Sequence, residues 1–347
     1  MAKIEAVQPP LFSDPAGDAR IGPLMGLPQL LEELQVSSQQ AFRDAGLTVR
    51  LFDNPENLIS HNALMRLLSS CTALSNRHDI GLLIGSRFNL TKFGALGDLM
   101  RNAATVGEAL KALILHLHFY DRAAVPMMFK LGPENVFLGY SIQQPVSGGT
   151  AQLQDAAIAV AYKMLSELCG ADWKPHHVEF SHRRPATTVS YRRVFGADIS
   201  FDAPVSGISF STSWLPHRIT GADPGKNKQL NEILRNAGAG GPISIAEEVQ
   251  CVIHQLLPGG NASAASVARL FGISERTLRL RLQAEGTNLQ VVLAATRFEL
   301  ARHLLQNTAQ SMSKIAAALC YADSAIFSRA FSSWAGVGPR QWRKENG

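Results

Sequence analysis

Apolar residues recur at helical spacing through most of the first third of the chain. Three segments, 24–34, 61–75 and 105–119, place them three or four positions apart, which predicts amphipathic helices. Thr105 opens the third segment and Glu108 follows it three residues later, a capping-box pattern that marks a helix N-terminus. The chain is therefore predicted to begin as a mainly helical region.

The pattern changes at about residue 125. The runs VPMMFKL and NVFLGYSI are rich in strand-forming residues and flank the turn sequence GPE, which predicts a β-hairpin. A helical segment follows at 151–168, and after it come three strand-like runs, HHVEF, ISFDAP and GISFST. Residues 1–235 are therefore predicted to form one α+β domain.

A linker is predicted at 236–244. Its sequence begins NAGAGGP, and three glycines with a proline in seven residues do not favour any regular element. From 245 to 347 the apolar spacing is helical throughout. The second domain, 245–347, is therefore predicted to be all-α.

A repeat lies within this second domain. The sequence VARLFGISERTLRLRL (267–282) superposes on IAAALCYADSAIFSRA (315–330) at an offset of 48. The matched positions are Ala268 with Ala316, Ile273 with Tyr321, and Leu278 with Ile326. An apolar helix, a tight turn and a second apolar helix are typical of a helix-turn-helix. We therefore predict two such units, at about 263–284 and 311–334.

The turns and helix starts of the repeat carry suitable residues. Gly272 occupies the first turn, where positive φ is favourable for glycine, and Cys320 occupies the same place in the second. Ser274 and Asp323 are predicted to cap the second helix of each unit, and Ser311 is predicted to cap the first helix of the second unit.

The second helix of the first unit exposes basic side chains. If Ile273, Leu278 and Leu282 face inward, Arg276 and Arg279 share the outer face and Arg281 flanks it. Arginine pairs bidentately with guanine in the major groove and also binds phosphate. The corresponding helix of the second unit is predicted to present a weaker set of DNA contacts: Ser324, Ser328 and Arg329.

The segment between the units, 287–306, is predicted to be one long helix. Thr287 and Gln290 have capping-box spacing. Twenty helical residues span ~30 Å, close to the ~34–36 Å between successive major-groove faces on one side of DNA. Such a helix would place the two units on adjacent turns of a duplex.

Charge and cysteine usage agree with this assignment. Residues 1–244 carry 22 basic and 21 acidic side chains, whereas 245–347 carry 11 and 7, so the basic excess lies in the second domain. The four cysteines are widely scattered, which fits a reducing compartment. The first residues lack a basic start followed by an apolar run. We expect a cytoplasmic protein without membrane contact.

Catalytic and metal-binding patterns are weak. His116 and His118 form an H-x-H pair, but such a pair diverges on a helix, so packing or polar contacts are the favoured interpretation. No motif of a known enzyme class stands out. We expect no metal, no cofactor and no enzymatic activity.

The second domain resembles the DNA-binding domain of AraC/XylS-type transcription regulators. The resemblance rests on ARLFGISERTLRLRLQAEGT, on ARHLL in the connecting helix, and on IAAALCYADSAIFSRAFSSWAGVGPRQWR. The segments IGPLMGLPQLLEEL, GALGDLMRNAATVGEALKAL and FGADISFDAP are similar to the arabinose-binding-type effector domain of one branch of these regulators. The chain departs from the family pattern at four positions: Cys320, Leu280, Ser332 and Ser333.

The resemblance implies a sequence-specific regulator that binds promoter DNA. A small-molecule effector, a second copy of the chain and RNA polymerase are the further partners that it suggests. One alternative is a front domain that only dimerises, and a second is a small-molecule enzyme fused to a DNA-binding module. If an effector binds, an apolar pocket between helices and sheet is expected, with Met127, Phe129 and Phe137 as candidate lining residues.

Overall fold

The architecture comes from a computed structural model. It describes residues 18–121, 124–131, 133–142, 150–236, 245–257, 262–271 and 273–346. The glycine-rich part of the predicted linker, 237–244, and the turn residue Gly272 lie outside these ranges. No helix of the described ranges is both long and apolar enough to cross a bilayer.

The described part of the N-terminal domain combines helices with two sheets. Its α-helices, α1 to α9, are Leu27–Glu33, Ser38–Asp44, His61–Ser75, Ile80–Gly85, Gly94–Arg101, Val106–His116, Thr150–Cys169, Val189–Phe195 and Pro224–Asn236. Its strands, β1 to β7, are Asp18–Arg20, Leu58–Ser60, Ala124–Leu131, Asn135–Ile142, His177–Glu179, Asp198–Ser200 and Ser206–Ser211. The predicted α+β class is confirmed.

The larger sheet has the strand order β3-β4-β7-β5-β6. Strands β3 and β4 pair antiparallel with Phe129 opposite Phe137, so the predicted hairpin is confirmed. Residues Val136–Gly139 of β4 are all buried, and β7 is buried along most of its length. These two strands therefore have protein on both faces, which agrees with the poor alternation of apolar and polar residues along them.

Two apolar cores lie side by side in this domain. One joins α1 to α4, and the other joins α5 to α7 with the larger sheet. Helix α7 packs along α4, where a Cβ at Gly81 would lie 1.8 Å from the carbonyl oxygen of Gln152. Glycine at this position therefore allows the two helices to approach closely and joins the cores.

The described part of the C-terminal domain is helical throughout. Its helices, α10 to α16, are Ile245–Leu256, Ala264–Leu270, Glu275–Ala284, Leu289–Asn307, Met312–Ala318, Ser324–Ala335 and Pro339–Asn346. They enclose a core of their own, which includes Leu278, Leu304, Phe327 and Phe331. The predicted all-α class and the long connecting helix are confirmed.

The connecting helix α13 begins one residue later than the predicted capping box requires. Asn288 is its N-cap and accepts the backbone N–H of Val291 at 3.1 Å. The backbone N–H of Thr287 instead donates to the carbonyl of Leu282 at 3.0 Å, which closes the end of α12. The predicted cap at Thr287 is wrong because this residue completes the preceding turn.

Candidate nucleic-acid interface and ligand cavity

The first helix-turn-helix unit consists of α11 and α12. Ser274 caps α12 by accepting the backbone N–H of Thr277 at 3.1 Å, as predicted. Leu278 and Leu282 are buried on its inner side, and Ile273 is partly buried before it. The amphipathic pattern of the sequence thus fixes which side of α12 is free to meet another molecule.

The outer side of α12 carries three arginines. Arg276, Arg279 and Arg281 are all exposed. None of them forms an ion pair with a residue in the described ranges. Arg276 and Arg279 are three positions apart and share one face, while Arg281 lies beside it. This arrangement presents several free guanidinium groups to a polyanion.

The second unit consists of α14 and α15, and its caps are those predicted. Ser311 accepts the backbone N–H of Lys314 at 3.3 Å. Asp323 accepts two backbone N–H groups, from Ala325 at 2.8 Å and from Ile326 at 2.7 Å. The negative charge of Asp323 also lies at the positive end of α15.

The turns of the two units share one backbone hydrogen bond. In the first unit the N–H of Ile273 donates to the carbonyl of Ala268 at 3.0 Å. In the second unit the N–H of Tyr321 donates to the carbonyl of Ala316 at 2.9 Å. The predicted offset of 48 therefore holds through the first helix and the turn.

Cys320 lies in the left-handed region of backbone space. Its φ is 58°, where a residue with a Cβ is strained. Its thiol Sγ donates to the carbonyl of Leu257 at 2.8 Å, so the side chain has a partner on the helix α10 side of the core. The predicted positive φ at this turn position is confirmed.

The offset changes to 49 in the second helix of each unit. The structurally matched pairs are Ser274 with Asp323, Leu278 with Phe327, and Leu282 with Phe331. The predicted match of Leu278 with Ile326 is wrong, because Ile326 is 37% exposed whereas Phe327 is fully buried. The reason is one extra residue, Ala322, in the second turn.

With the corrected offset of 49, the outer face of α15 has no arginine at the positions where α12 has three. The three arginines of α12 now correspond to small residues: Arg276 to Ala325, Arg279 to Ser328, and Arg281 to Ala330. The hydroxyl of Ser328 donates to the carbonyl of Ser324 at 2.7 Å, so it is engaged within its own helix. Arg329 is exposed and provides the one cation among the three predicted contacts on this helix.

A cavity of about 110 Å³ lies between the hairpin β3–β4 and helices α3, α6 and α7. Its wall is mostly apolar: Ala19, Pro23, Leu24, Leu64, Phe93, Leu113, Leu117, Ala124, Pro126, Leu138, Gly139, Leu153, Ala156, Ala157, Ile158, Val160, Ala161 and Met164. Four polar side chains complete it: Arg20, Tyr120, Asp121 and Tyr140. A small apolar cavity of this kind can hold a small apolar molecule.

The lining candidates predicted from sequence lie elsewhere on the same hairpin. Met127 and Phe137 are buried on the opposite face, in a small cluster with Val205. A Cβ at Gly207 would lie 2.2 Å from the ring of Phe137, so the ring is packed tightly there. The side chain of Phe129 lies outside the described residues. The cavity lies on the other face of the hairpin, with Pro126, Leu138 and Tyr140.

The two domains are joined by direct hydrogen bonds. The carboxylate of Asp202 accepts the backbone N–H of Ala309 at 2.8 Å. The backbone carbonyl of Asp202 accepts the side-chain amide of Gln310 at 2.6 Å. Gln310 is only 6% exposed and directly precedes Ser311, the cap of the second unit. A second contact places α10 against strand β3. The N-terminal domain therefore holds the start of the second unit.

A buried polar chain leads from the cavity wall to this contact. Asp155 lies on α7 beside the lining residue Ala156, and its carboxylate lies 3.0 Å from Nε2 of His182 and accepts the hydroxyl of Tyr191 at 2.7 Å. Burial raises the pKa of Asp155. The carbonyl of His182 accepts the backbone N–H of Asp202 at 3.0 Å. Asp202 and Gln310 had no local sequence pattern to mark them.

Comparison with known protein families gives one match in each of the two domains. A helix-turn-helix domain model matches residues 267–345, which include most of both units. The model of the N-terminal arabinose-binding domain of AraC transcription regulators matches residues 36–219, more than half of the chain. The chain belongs to the AraC family of transcription regulators.

Individual relatives align along nearly the full length. The regulator VirS of Mycobacterium tuberculosis is 25% identical over 93% of this chain and 96% of its own. The ornithine utilization regulator of Pseudomonas aeruginosa is 26% identical over 91% and 93%. The crystal structure of the transcriptional regulator CdpR from the same organism covers 93% of this chain and 98% of its own, with 20% identity and a TM-score of 0.46.

Proposed function

We propose that a small molecule bound in the cavity controls how this regulator binds promoter DNA. The observation that carries the proposal is the physical connection between the two sites. One turn of α7 supplies both cavity lining, at Ala156 and Ala157, and the buried Asp155. From there the contacts run through His182 and Asp202 to the start of the second helix-turn-helix unit.

DNA contact in this proposal is made mainly by α12. Arg276, Arg279 and Arg281 provide base and phosphate contacts, and α15 adds Arg329 with the hydroxyls of Ser324 and Ser328. Each phosphate that is neutralised adds ~0.9 to the slope of log affinity against log salt concentration. We therefore expect affinity to fall steeply with salt.

A homodimer formed through the N-terminal domain, and contact with RNA polymerase, are parts of the same proposal. Support for a dimer comes from two exposed apolar side chains on neighbouring helices, Leu115 on α6 at 61% and Ile233 on α9 at 49% exposure. The two helices are neighbours, since Nε2 of His116 lies 3.4 Å from Oδ1 of Asn231. Leu115→Arg should lower the sedimentation coefficient if this surface pairs two copies.

The experiment uses the full chain and a DNA site selected in vitro from random duplexes. A metabolite panel is screened by thermal shift, since a ligand at 100 times its Kd adds ~2.7 kcal/mol to the free energy of unfolding. Each hit is then added to a DNA-binding titration. We expect hits that change DNA affinity in the wild type and fail to bind Ala157→Phe, which fills the cavity.

Two results would contradict the proposal. Hits that leave DNA affinity unchanged would separate ligand binding from control. A wild type without hits, together with unaltered DNA binding by Ala157→Phe, would favour an N-terminal domain that only dimerises.

A further inference from the structure

The polar side chains of the cavity differ in what they already bind. Arg20 contacts the carboxylate of Glu56, and its guanidinium lies 5.1 Å from the centre of the Tyr120 ring. The hydroxyl of Tyr120 accepts the backbone N–H of Leu96 at 3.1 Å. These groups are engaged by the protein itself.

Asp121 is engaged as well. Its Oδ1 lies 3.2 Å from Nε2 of His61 and accepts the backbone N–H of Ala124 at 3.1 Å. The carboxylate therefore helps to fix the start of β3 beside the cavity. It also places negative charge next to the space that a ligand would fill.

Tyr140 is the exception. Its hydroxyl makes no hydrogen bond with any residue in the described ranges, although it lines a mostly apolar space. Burial raises the pKa of Tyr140 well above its usual range, and the charge of Asp121 adds to this effect. A neutral hydroxyl in apolar surroundings loses free energy unless it finds a partner. Tyr140 is partly buried and lines the cavity, so a polar atom of a ligand there can pair with its hydroxyl.

We propose, as a deepening of the proposed function, that the effector is an uncharged, mainly apolar molecule whose single polar group hydrogen-bonds to the Tyr140 hydroxyl. The size follows from the cavity: about 110 Å³ is of the same order as the ~150 Å³ apolar cavity that accommodates benzene, so we expect a ligand built on about one ring. The absence of net charge follows from the composition of the wall, because its mostly apolar side chains make it costly to remove water from a charge of either sign. An anion is disfavoured further, since Arg20 is already paired with Glu56 and Asp121 lies beside the cavity.

The test compares three probes of similar size and shape: benzyl alcohol, ethylbenzene and benzoate. Binding to the full chain is measured by isothermal titration calorimetry. The wild type should bind benzyl alcohol most tightly and benzoate most weakly. Tyr140→Phe should weaken benzyl alcohol by about two- to tenfold, the usual contribution of one hydrogen bond, and leave ethylbenzene unchanged. Ala157→Phe should abolish binding of all three.

The outcomes separate the two proposals. Tightest binding by benzoate, or equal loss of benzyl alcohol and ethylbenzene in Tyr140→Phe, overturns the ligand class while keeping the cavity as a site. Binding that survives Ala157→Phe removes the cavity from both proposals. If Tyr140→Phe does not fold, the order of the three probes on the wild type decides alone, and absence of binding by all three overturns the ligand class.

Discussion

The two helix-turn-helix units have nearly the same backbone and different surroundings. Each has a capped second helix, and each turn contains the same hydrogen bond from the residue after the turn to the first helix. The first unit presents three exposed arginines on α12. On α15 the second unit presents one arginine, small residues and the exposed Ile326, and its leading segment is held by Asp202 of the other domain. Under the proposed function, the first unit makes most of the DNA contact and the second is the unit that responds to the N-terminal domain.

The largest expected effect concerns a residue on the helix that connects the two units. Glu299 lies on α13, where burial raises its pKa from 4.5 to about 8. The unfolded chain gives up this proton near its ordinary pKa while the folded protein keeps it. Stability should therefore fall as pH rises from about 4.5 to about 8 and then level off, a loss on the order of a few kcal/mol.

Glu299→Gln should remove this part of the pH dependence. The buried Oε1 of Gln250 has no hydrogen-bond partner within the described residues, and a glutamine amide at 299 can donate to it. Urea unfolding at several pH values measures the effect, with Glu275→Gln on the exposed surface of α12 as the control. Equal pH profiles for the wild type and Glu299→Gln would show that folding does not raise the pKa of Glu299.

The next effect compares matched positions of the two recognition helices. Arg279→Ala should cost ~1–3 kcal/mol of binding to a selected DNA site, the usual contribution of a bidentate base contact. Ser328→Ala, its structural counterpart, removes a hydroxyl that is bound within its own helix and should cost much less. Titrations at fixed salt concentration compare the two. Equal losses, or a greater loss in Ser328→Ala, would remove the asymmetry between the units.

The contact between domains gives a smaller effect that is confined to the second unit. Asp202→Ala removes the acceptor of the Ala309 N–H and should lower the free energy of unfolding by ~1–2 kcal/mol. Hydrogen–deuterium exchange should rise at the start of α14 and stay unchanged in α11. Asp202→Asn is the matched control, because it keeps an acceptor oxygen and tolerates the φ of 57°. Faster exchange in both units would contradict a contact specific to the second.

The units themselves could be predicted because their determinants are local. Apolar spacing and the caps Ser274, Ser311 and Asp323 are all within one or two helical turns of what they stabilise. The errors at Thr287 and Ile326 are also local: each is a displacement of one residue at a turn, where apolar spacing gives no information about turn length.

The cavity and the contact between domains depend on residues far apart in the chain. Asp202 and Gln310 are 108 positions apart, and neither belongs to a motif. Because β4 is buried on both faces, its sequence does not indicate which face borders a cavity. The predicted lining residues Met127 and Phe137 lie on the face opposite to Tyr140 and the cavity. Only the packing of α7 against the hairpin identifies that face.

The smallest effect concerns the turn in which the two units differ most in residue type. Cys320→Gly removes the backbone strain of a residue with a Cβ at a φ of 58°, which is ~1 kcal/mol. The substitution also removes the hydrogen bond from the thiol to the carbonyl of Leu257 and makes the unfolded chain more flexible, and both effects lower stability. We expect the free energy of unfolding to be unchanged or to rise by up to ~1 kcal/mol. Cys320→Ala is the control, because it loses the thiol without relieving the backbone and should be less stable than either. Urea midpoints rank the three proteins, and a glycine variant less stable than the alanine variant would show that backbone strain at Cys320 is not what limits this turn.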